Sequence, residues 1–323
     1  MFPVHDRGYK RLFSHPRLFR QLLESFVNEA WVKELDFEHC EKLDKSFISQ
    51  HYKATESDLL YKVKCREQEI YVYILLEFQS TVTWFMAVRF LHYICSFWLD
   101  YAESQPTTKK LPAVFPLLLY SGEAQWTAKT DLAELLEQPN LFKSYTPTFR
   151  YYTIAEHDYE PEHLLKINNL VSTLFLAETH YDLELLQTQL LNLFDKEQDK
   201  QAVSLLFNWF KQLVVHGRRE PVDYEALEQV YTQKTEAKQM LETAIAQERE
   251  KFFAQGRAEG EAQGWAKGQA YGRAELLIAL LEKRFSALTP EQKKYIHQLD
   301  EKSLLALTEK LWQAQSVQDI LKA

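Results

Sequence analysis

Apolar positions along this chain fall first at helical spacing, then at strand spacing, and from the middle onward at helical spacing again. Residues 14–28 carry Leu18, Phe19, Leu22, Leu23 and Phe26 on one side of a helical period, with Ser14 ahead of Pro16 as a start signal, which predicts an amphipathic helix. Over residues 58–65 the period drops to two: Leu59, Tyr61, Val63 and Cys65 alternate with Asp58, Leu60, Lys62 and Lys64. Residues 69–78 are rich in Ile, Val, Tyr and Leu, so two strands are predicted, joined by the polar "REQE". A helix is expected from Ser80 through "TWFMAVRFLHYICSFWLDY", and "AVFPLLLYSG" reads as a further buried strand closing on a Ser-Gly turn. The order is helix, two or three strands, helix, strand.

Beyond about residue 155 helical periods take over in "LLKINNLVSTLFLAE", "LELLQTQLLNLF" and "AVSLLFNWFKQLVVHG", the last stopped by Gly217 as a C-cap. From Gly256 the tetrapeptides GRAE, GEAQ, GWAK, GQAY and GRAE follow without a gap, and five of the chain's eight glycines lie there. The repeat lacks the Gly-Lys-Ser/Thr ending and the preceding strand of a phosphate loop, and its Arg, Glu, Lys and Gln exclude a membrane helix. A helix and a flexible linker both fit. The helix costs about 1 kcal/mol per exposed Gly relative to Ala, which close packing on a second copy of the chain would offset. The last segment has helical spacing with a start at Thr289-Pro290-Glu291 and another at Asp300. The expected organisation is an α/β domain over 1–155, a helical extension over 156–235, the repeat as helix or linker over 236–275, and a helical domain over 276–323.

Composition narrows the class. The 323 residues are 46% hydrophobic, enough for a sizeable core, and no apolar run approaches the ~18 residues of a membrane span. Charges interrupt the opening "MFPVHDRGYKRLF", so export is not expected. Cys40, Cys65 and Cys95 match neither a disulfide framework nor metal spacing, and His5, His15 and His92 make no zinc-ligand pattern. A cytoplasmic protein is expected. Net charge is −8, but residues 1–150 hold 18 basic and 19 acidic side chains, so the acidic excess belongs to the second half. A nucleic-acid partner is thus neither demanded nor excluded. Lys10, Arg11, Arg17 and Arg20, with Lys62, Lys64 and Arg66, are candidates for a local basic patch or plain solvated charges.

One strand ends oddly. "YVYILLEFQS", residues 71–80, is apolar until Glu77, and residues two apart share a strand face, so Glu77 and Gln79 point the same way. A hairpin turn centred between Glu67 and Gln68 sets Asp58 directly opposite Glu77, with Cβ atoms about 5 Å apart. Two like charges there call for a cation, and a divalent metal with oxygen ligands fits. A slip of one residue would turn Asp58 to the other face, and acids at hairpin ends are also common structural features.

The blocks "HDRGYKRLFSHP", "SDLLYKVK", "ILLEFQS", "MAVRFLHY" and "LPAVFPLLLYSGEAQW" together resemble the recombination-promoting nuclease family, also called transposase-like proteins of the PD-(D/E)XK superfamily. The resemblance covers most of residues 5–130 with five blocks in the family's order. It implies a restriction-endonuclease-like αβββαβ core, followed here by a mostly α-helical second half, and a metal-dependent DNA endonuclease. Asp58 and Glu77 take the metal-ligand positions, the Phe78 carbonyl is the implied third ligand, and Mg²⁺, or else Mn²⁺ or Ca²⁺, is the implied ion. Gln79 stands where the superfamily usually has lysine; an amide cannot carry the charge of an amine, so its role would be to orient the attacking water. The family resembled also has Gln here, so activity is compatible with it, but the departure keeps open a nuclease-fold protein that binds nucleic acid or a partner without cutting. A strand-transferring transposase stays open because its metal site would look the same. The implied setting is recombination, mobile-element maintenance or phage defence. The final segment is similar to a small helical domain found at the C-terminus of many such nucleases, which suggests assembly or regulation and not chemistry; a homo-oligomer through these C-terminal helices is expected.

Further candidates flank the site. Glu24 could add a metal ligand, though Arg20 four residues earlier offers an ion pair. Ser80 suits either a phosphate contact at a helix start or simple capping. Arg89 and Tyr93 share a helix face fit for a phosphate and a base, or for a buried strut. Lys10 is a candidate DNA-backbone contact, and Asp6 either belongs to the site or caps a short helix.

Overall fold

Two short helices open the chain, α1 (Val4–Phe13) and α2 (Pro16–Phe26), in a computed structural model that describes residues 4–43, 59–65, 70–180, 182–216 and 226–321. The amphipathic helix expected over 14–28 is α2. His15 caps it, its ring Nδ1 accepting the Arg17 N–H at 3.3 Å, and Pro16 takes the first turn, where no N–H is needed. All five of its predicted apolar residues are buried. Asp6 lies inside the first turn of α1 and not at its cap position, because α1 already starts at Val4.

The sheet has five strands in the order β1-β2-β3-β4-β5: β1 (Leu35–Leu43), β2 (Leu59–Cys65), β3 (Ile70–Gln79), β4 (Ala113–Tyr120) and β5 (Tyr152–Ala155). The first three are antiparallel, and β4 and β5 continue parallel to β3. Pairs run from Leu59↔Leu76 through Val63↔Val72 to Cys65↔Ile70, the register that a turn centred between Glu67 and Gln68 dictates. β1 forms an edge, with a bulge between Asp36 and Cys40 that leaves three residues without counterparts on β2.

Strand alternation divides the core. Tyr61, Val63, Leu76, Phe78, Leu117, Leu119 and Ile154 belong to the cluster that includes Tyr9, Phe13, Phe19 and Leu22 of the first two helices. Leu60, Leu118 and Tyr120 belong instead to a cluster with Met86, Phe90 and Ile94 of α3 (Met86–Ser104). The sheet is therefore covered on both faces, each large buried side chain contributing about 2 kcal/mol. The helix expected from Ser80 begins six residues later, at Met86. Thr81, Val82 and Thr83 are β-branched and lose rotamer freedom in a helix, so this stretch stays irregular.

The second half of this unit is helical: α4 (Pro161–Ile167), α5 (Leu170–Thr179), α6 (Leu183–Lys196) and α7 (Lys200–His216). The run "LLKINNLVSTLFLAE" is two helices and not one. Asn168 takes the left-handed conformation, φ 50° and ψ 55°, and Asn169 caps α5 in a reciprocal pair of bonds with Ser172. Gly217, expected to stop α7, lies outside the described residues.

The chain falls into two compact units, Met1–Ala246 and Gln247–Ala323. α8 (Lys234–Arg284) is a single helix of 51 residues that passes straight through the glycine repeat, so a flexible linker is excluded there. In the second unit its later turns, through Ala274, Leu277, Ile278 and Leu281, share a small core with α9 (Pro290–His297), α10 (Glu301–Lys310) and α11 (Val317–Leu321). Thr289 and Asp300 are the N-caps of α9 and α10, as their sequence positions predict. No helix among the described residues is long and apolar enough to cross a membrane.

Candidate functional site

The last residues of β3 sit where the three layers meet. Phe78 is buried on the side of the first helices, its ring stacked on Phe13 at 5.8 Å and edge-on to Tyr9 at 6.3 Å. Its strand neighbour Gln79 is also buried, at 7% exposure, and its side-chain Oε1 accepts the Thr83 hydroxyl at 3.2 Å. That bond fixes the rotamer of the amide. The Gln79 backbone carbonyl accepts the Ser121 N–H at 3.0 Å, toward the β4 side. Because successive strand carbonyls point to opposite edges, the Phe78 carbonyl turns toward β2, as a ligand shared with a β2-side carboxylate would have to. Glu77 is placed by its backbone within β3, in register with Leu118; its side chain lies outside the described residues, as does all of Asp58.

Gly122 holds the next turn in place. A Cβ there would stand 2.5 Å from the Ser80 carbonyl oxygen and 2.3 Å from the Tyr120 hydroxyl, so only glycine lets the chain leave β4 past the end of β3. The Tyr120 hydroxyl donates to the Ala124 carbonyl at 2.7 Å, and burial raises its pKa, so it remains a neutral donor. Ser80 is half-buried; it does not cap α3, whose N-cap is Phe85.

On α3 the Arg89 guanidinium donates to the Tyr93 hydroxyl and lies 5.4 Å from its ring centroid, while Tyr93 itself is buried. Lys10 is half-buried on α1, one residue from the Tyr9 ring that packs on Phe78. The cations around it are largely matched by acids: Arg11 with Glu228, Arg17 with Glu197 at 2.9 Å and Arg20 with Glu24 at 2.9 Å. Lys62 and Lys64 stand opposite Glu41 and Asp36 in the β1–β2 ladder. The side chain of Asp6 and all of Arg66 lie outside the described residues. Among the described residues, no group of three or more His, Cys, Asp or Glu side chains could hold a metal ion. A fit to a cation therefore rests on the donor types at the end of β3, a carboxylate and a carbonyl, which suit a hard divalent ion.

Residues 3–204 match the family model described as "Putative transposase, YhgA-like". This chain belongs to that family. Similar curated proteins include recombination-promoting nuclease RpnD of Escherichia coli O157:H7, 30% identical over 118 residues, which are 36% of this chain and 45% of that protein. Another is recombination-promoting nuclease RpnC of Escherichia coli K12, 26% identical over 197 residues, 59% of this chain and 64% of that one. A third, from the same strain, carries the name inactive recombination-promoting nuclease-like protein RpnE, 29% identical over 119 residues, 37% and 39% of the two chains. The matches thus span from under half to under two thirds of these relatives' lengths. No solved structure matches.

Three supporting roles at this site were not read from the sequence. Thr83 fixes the Gln79 amide, Tyr9 buttresses Phe78, and Gly122 admits the Ser80 carbonyl. A hydroxyl four residues past Gln79 and a glycine closing "YSG" are visible in the sequence, but only the tertiary contacts give them meaning.

Proposed function

We propose that this chain is a cytoplasmic, metal-dependent DNA endonuclease with a restriction-endonuclease-like core, acting in recombination, mobile-element maintenance or phage defence. It would work as a homo-oligomer assembled through its C-terminal helices. The observation that carries the reading is the β2–β3 register: the described ladder ends at Leu59↔Leu76, one residue short of Asp58 on one strand and of Glu77 on the other. Continued by one pair, that ladder would set the two carboxylates face to face, on the side of β3 toward which the Phe78 carbonyl turns. The element order α2-β1-β2-β3-α3-β4 is the αβββαβ order expected of such nucleases, and the names of RpnC and RpnD support the chemistry.

Asp58, Glu77 and the Phe78 carbonyl would hold the ion, Mg²⁺ in the first instance. A bound divalent cation supplies a water of lowered pKa and offsets charge growing on the phosphate. Gln79, fixed by Thr83, would orient the attacking water by hydrogen bonding, since an amide can donate and accept but not take up a proton at neutral pH. Lys10, Ser80 and Arg89 would contact the DNA backbone.

The test is nicking of supercoiled plasmid by purified protein with Mg²⁺. Wild type should convert it to open circles, and Asp58→Ala or Glu77→Ala should slow this by about 100-fold or more. Unchanged rates in both variants would refute the assignment. Gln79 in place of lysine, together with a relative named inactive, favours a second reading in which the chain binds DNA without cutting; binding without nicking in any divalent metal would establish it. The family model's name keeps strand transfer in view, which joining of a 3′-hydroxyl end would reveal.

A further inference from the structure

From Arg249 to Gln269 every residue of α8 is exposed, and a Cβ built at Gly256, Gly260, Gly264, Gly268 or Gly272 meets nothing within 4 Å. The charges on this stretch decide what that bare surface fits. At about 100° per residue, Arg257, Glu261, Lys267 and Tyr271 all fall within about 60° of the direction of Gly264, with Gly260 and Gly268 on either side of it. Their order is complementary to itself when reversed. About a two-fold axis through Gly264, an antiparallel copy sets Glu261 against Lys267, Arg257 against the Tyr271 ring, Gly260 against Gly268, and Gly264 against its own counterpart.

The parallel alignment and the neighbouring glycine-centred ones lack this charge match. A parallel pairing in register brings Arg257, Glu261 and Lys267 each against itself. Moving the antiparallel axis one repeat on, to Gly268, keeps glycine against glycine but sets Glu261 opposite Glu275, and moving it one repeat back, to Gly260, sets Arg257 against Gln263 and Lys267 against Phe253, with no ion pair. On the opposite, alanine-bearing face, Arg273 is already engaged by Glu301 and Gln269 of its own chain. Within one chain Glu261 makes an exposed, loose pair with Arg257 at 3.7 Å, so Lys267 of a second copy would extend this pair into a three-membered network. Tyr271 stacks on His297 at 4.7 Å yet remains 61% exposed, so its ring is held in position with much of its surface open.

We infer that two copies of this chain pair antiparallel through α8, crossing at Gly264, where the missing side chains let the backbones approach closely. The inference rests on the homo-oligomer reading above and is independent of nuclease activity. Exposed ion pairs are individually weak, so the charges select orientation and register while the close crossing and the flanking rings provide contact.

The experiment uses the full-length chain with Cys95, an exposed native thiol, replaced by Ser. One preparation carries Glu261→Cys and another Lys267→Cys. Mild oxidation of the mixture should give a covalent dimer containing one chain of each, while neither preparation alone cross-links. A dimer from Glu261→Cys alone would establish another alignment and overturn the inference, leaving the homo-oligomer reading intact. A monomer at all accessible concentrations by light scattering would overturn both. In parallel, Glu261→Lys should weaken the wild-type dimer by roughly tenfold, and adding Lys267→Glu in the same chain should restore it. Failure of the double variant to recover would also overturn the pairing.

Discussion

Glycine plays opposite parts in the two units. In the first, Gly8 and Gly122 are forced by the chain's own packing: a Cβ at Gly8 would stand 2.1 Å from the Trp209 ring, and one at Gly122 would strike the Ser80 carbonyl. In the second, a Cβ at the glycines of α8 would meet nothing within 4 Å among the described residues, which therefore do not account for them. A glycine of the first kind is explained by the monomer's core; one of the second kind costs helix stability with no return inside the monomer, and so points to a surface outside it.

Substitutions should separate the two kinds. Gly8→Ala should be the most damaging, by about 3 kcal/mol in denaturant unfolding, because both the α1 backbone and the ring of Trp209 are confined by a packed core. Gly122→Ala should cost about 2 kcal/mol by the same measurement and should also slow nicking, since the turn it strains abuts Ser80. Gly256→Ala, off the pairing face, should have the reverse sign and raise the stability of α8 by up to about 1 kcal/mol, seen as a higher melting midpoint by circular dichroism. If Gly256→Ala destabilised α8, the contrast would collapse.

Two smaller effects sharpen the first unit. Burial lowers the pKa of His15, with Asp199 opposing weakly, so the unfolded chain binds a proton more readily than the folded one. Stability should therefore rise with pH up to about 6.5 and be lost below it, as a protonated Nδ1 can no longer accept the Arg17 N–H that caps α2. His15→Asn, which keeps a capping acceptor without titrating, should flatten that dependence in thermal melts at pH 5 to 7. Glu24→Ala should change stability by no more than about 0.5 kcal/mol, its pair with Arg20 being exposed. An intact nicking rate in that variant would separate Glu24 from the metal site, and a large loss would return it there.

The sequence revealed the fold best where one period ran without interruption. The β2–β3 register followed from alternation and a four-residue polar connection, because a slip of one residue would have turned Tyr61 and Val63 out of the core. It said less where a single backbone angle or a short element decided the outcome. Asn168 divides a continuous apolar run by taking a left-handed conformation, and the paired asparagines were its visible signal. β5 is four residues long, too short for alternation to register. At the site, residue types and strand positions were legible, while the supports from Thr83, Tyr9 and Gly122 come from elements that only folding brings together.

The bulged edge strand has a consequence for how copies of this protein meet. β1 is broken between Asp36 and Cys40, and Glu38, Glu41 and Lys42 stand exposed along it. An incoming strand would find no unbroken row of donors and acceptors to zip onto, and would have to strip water from three charges to try. That border discourages edge-to-edge pairing of sheets, so copies of this protein have to meet through side-chain surfaces and not by extending one another's backbone ladder.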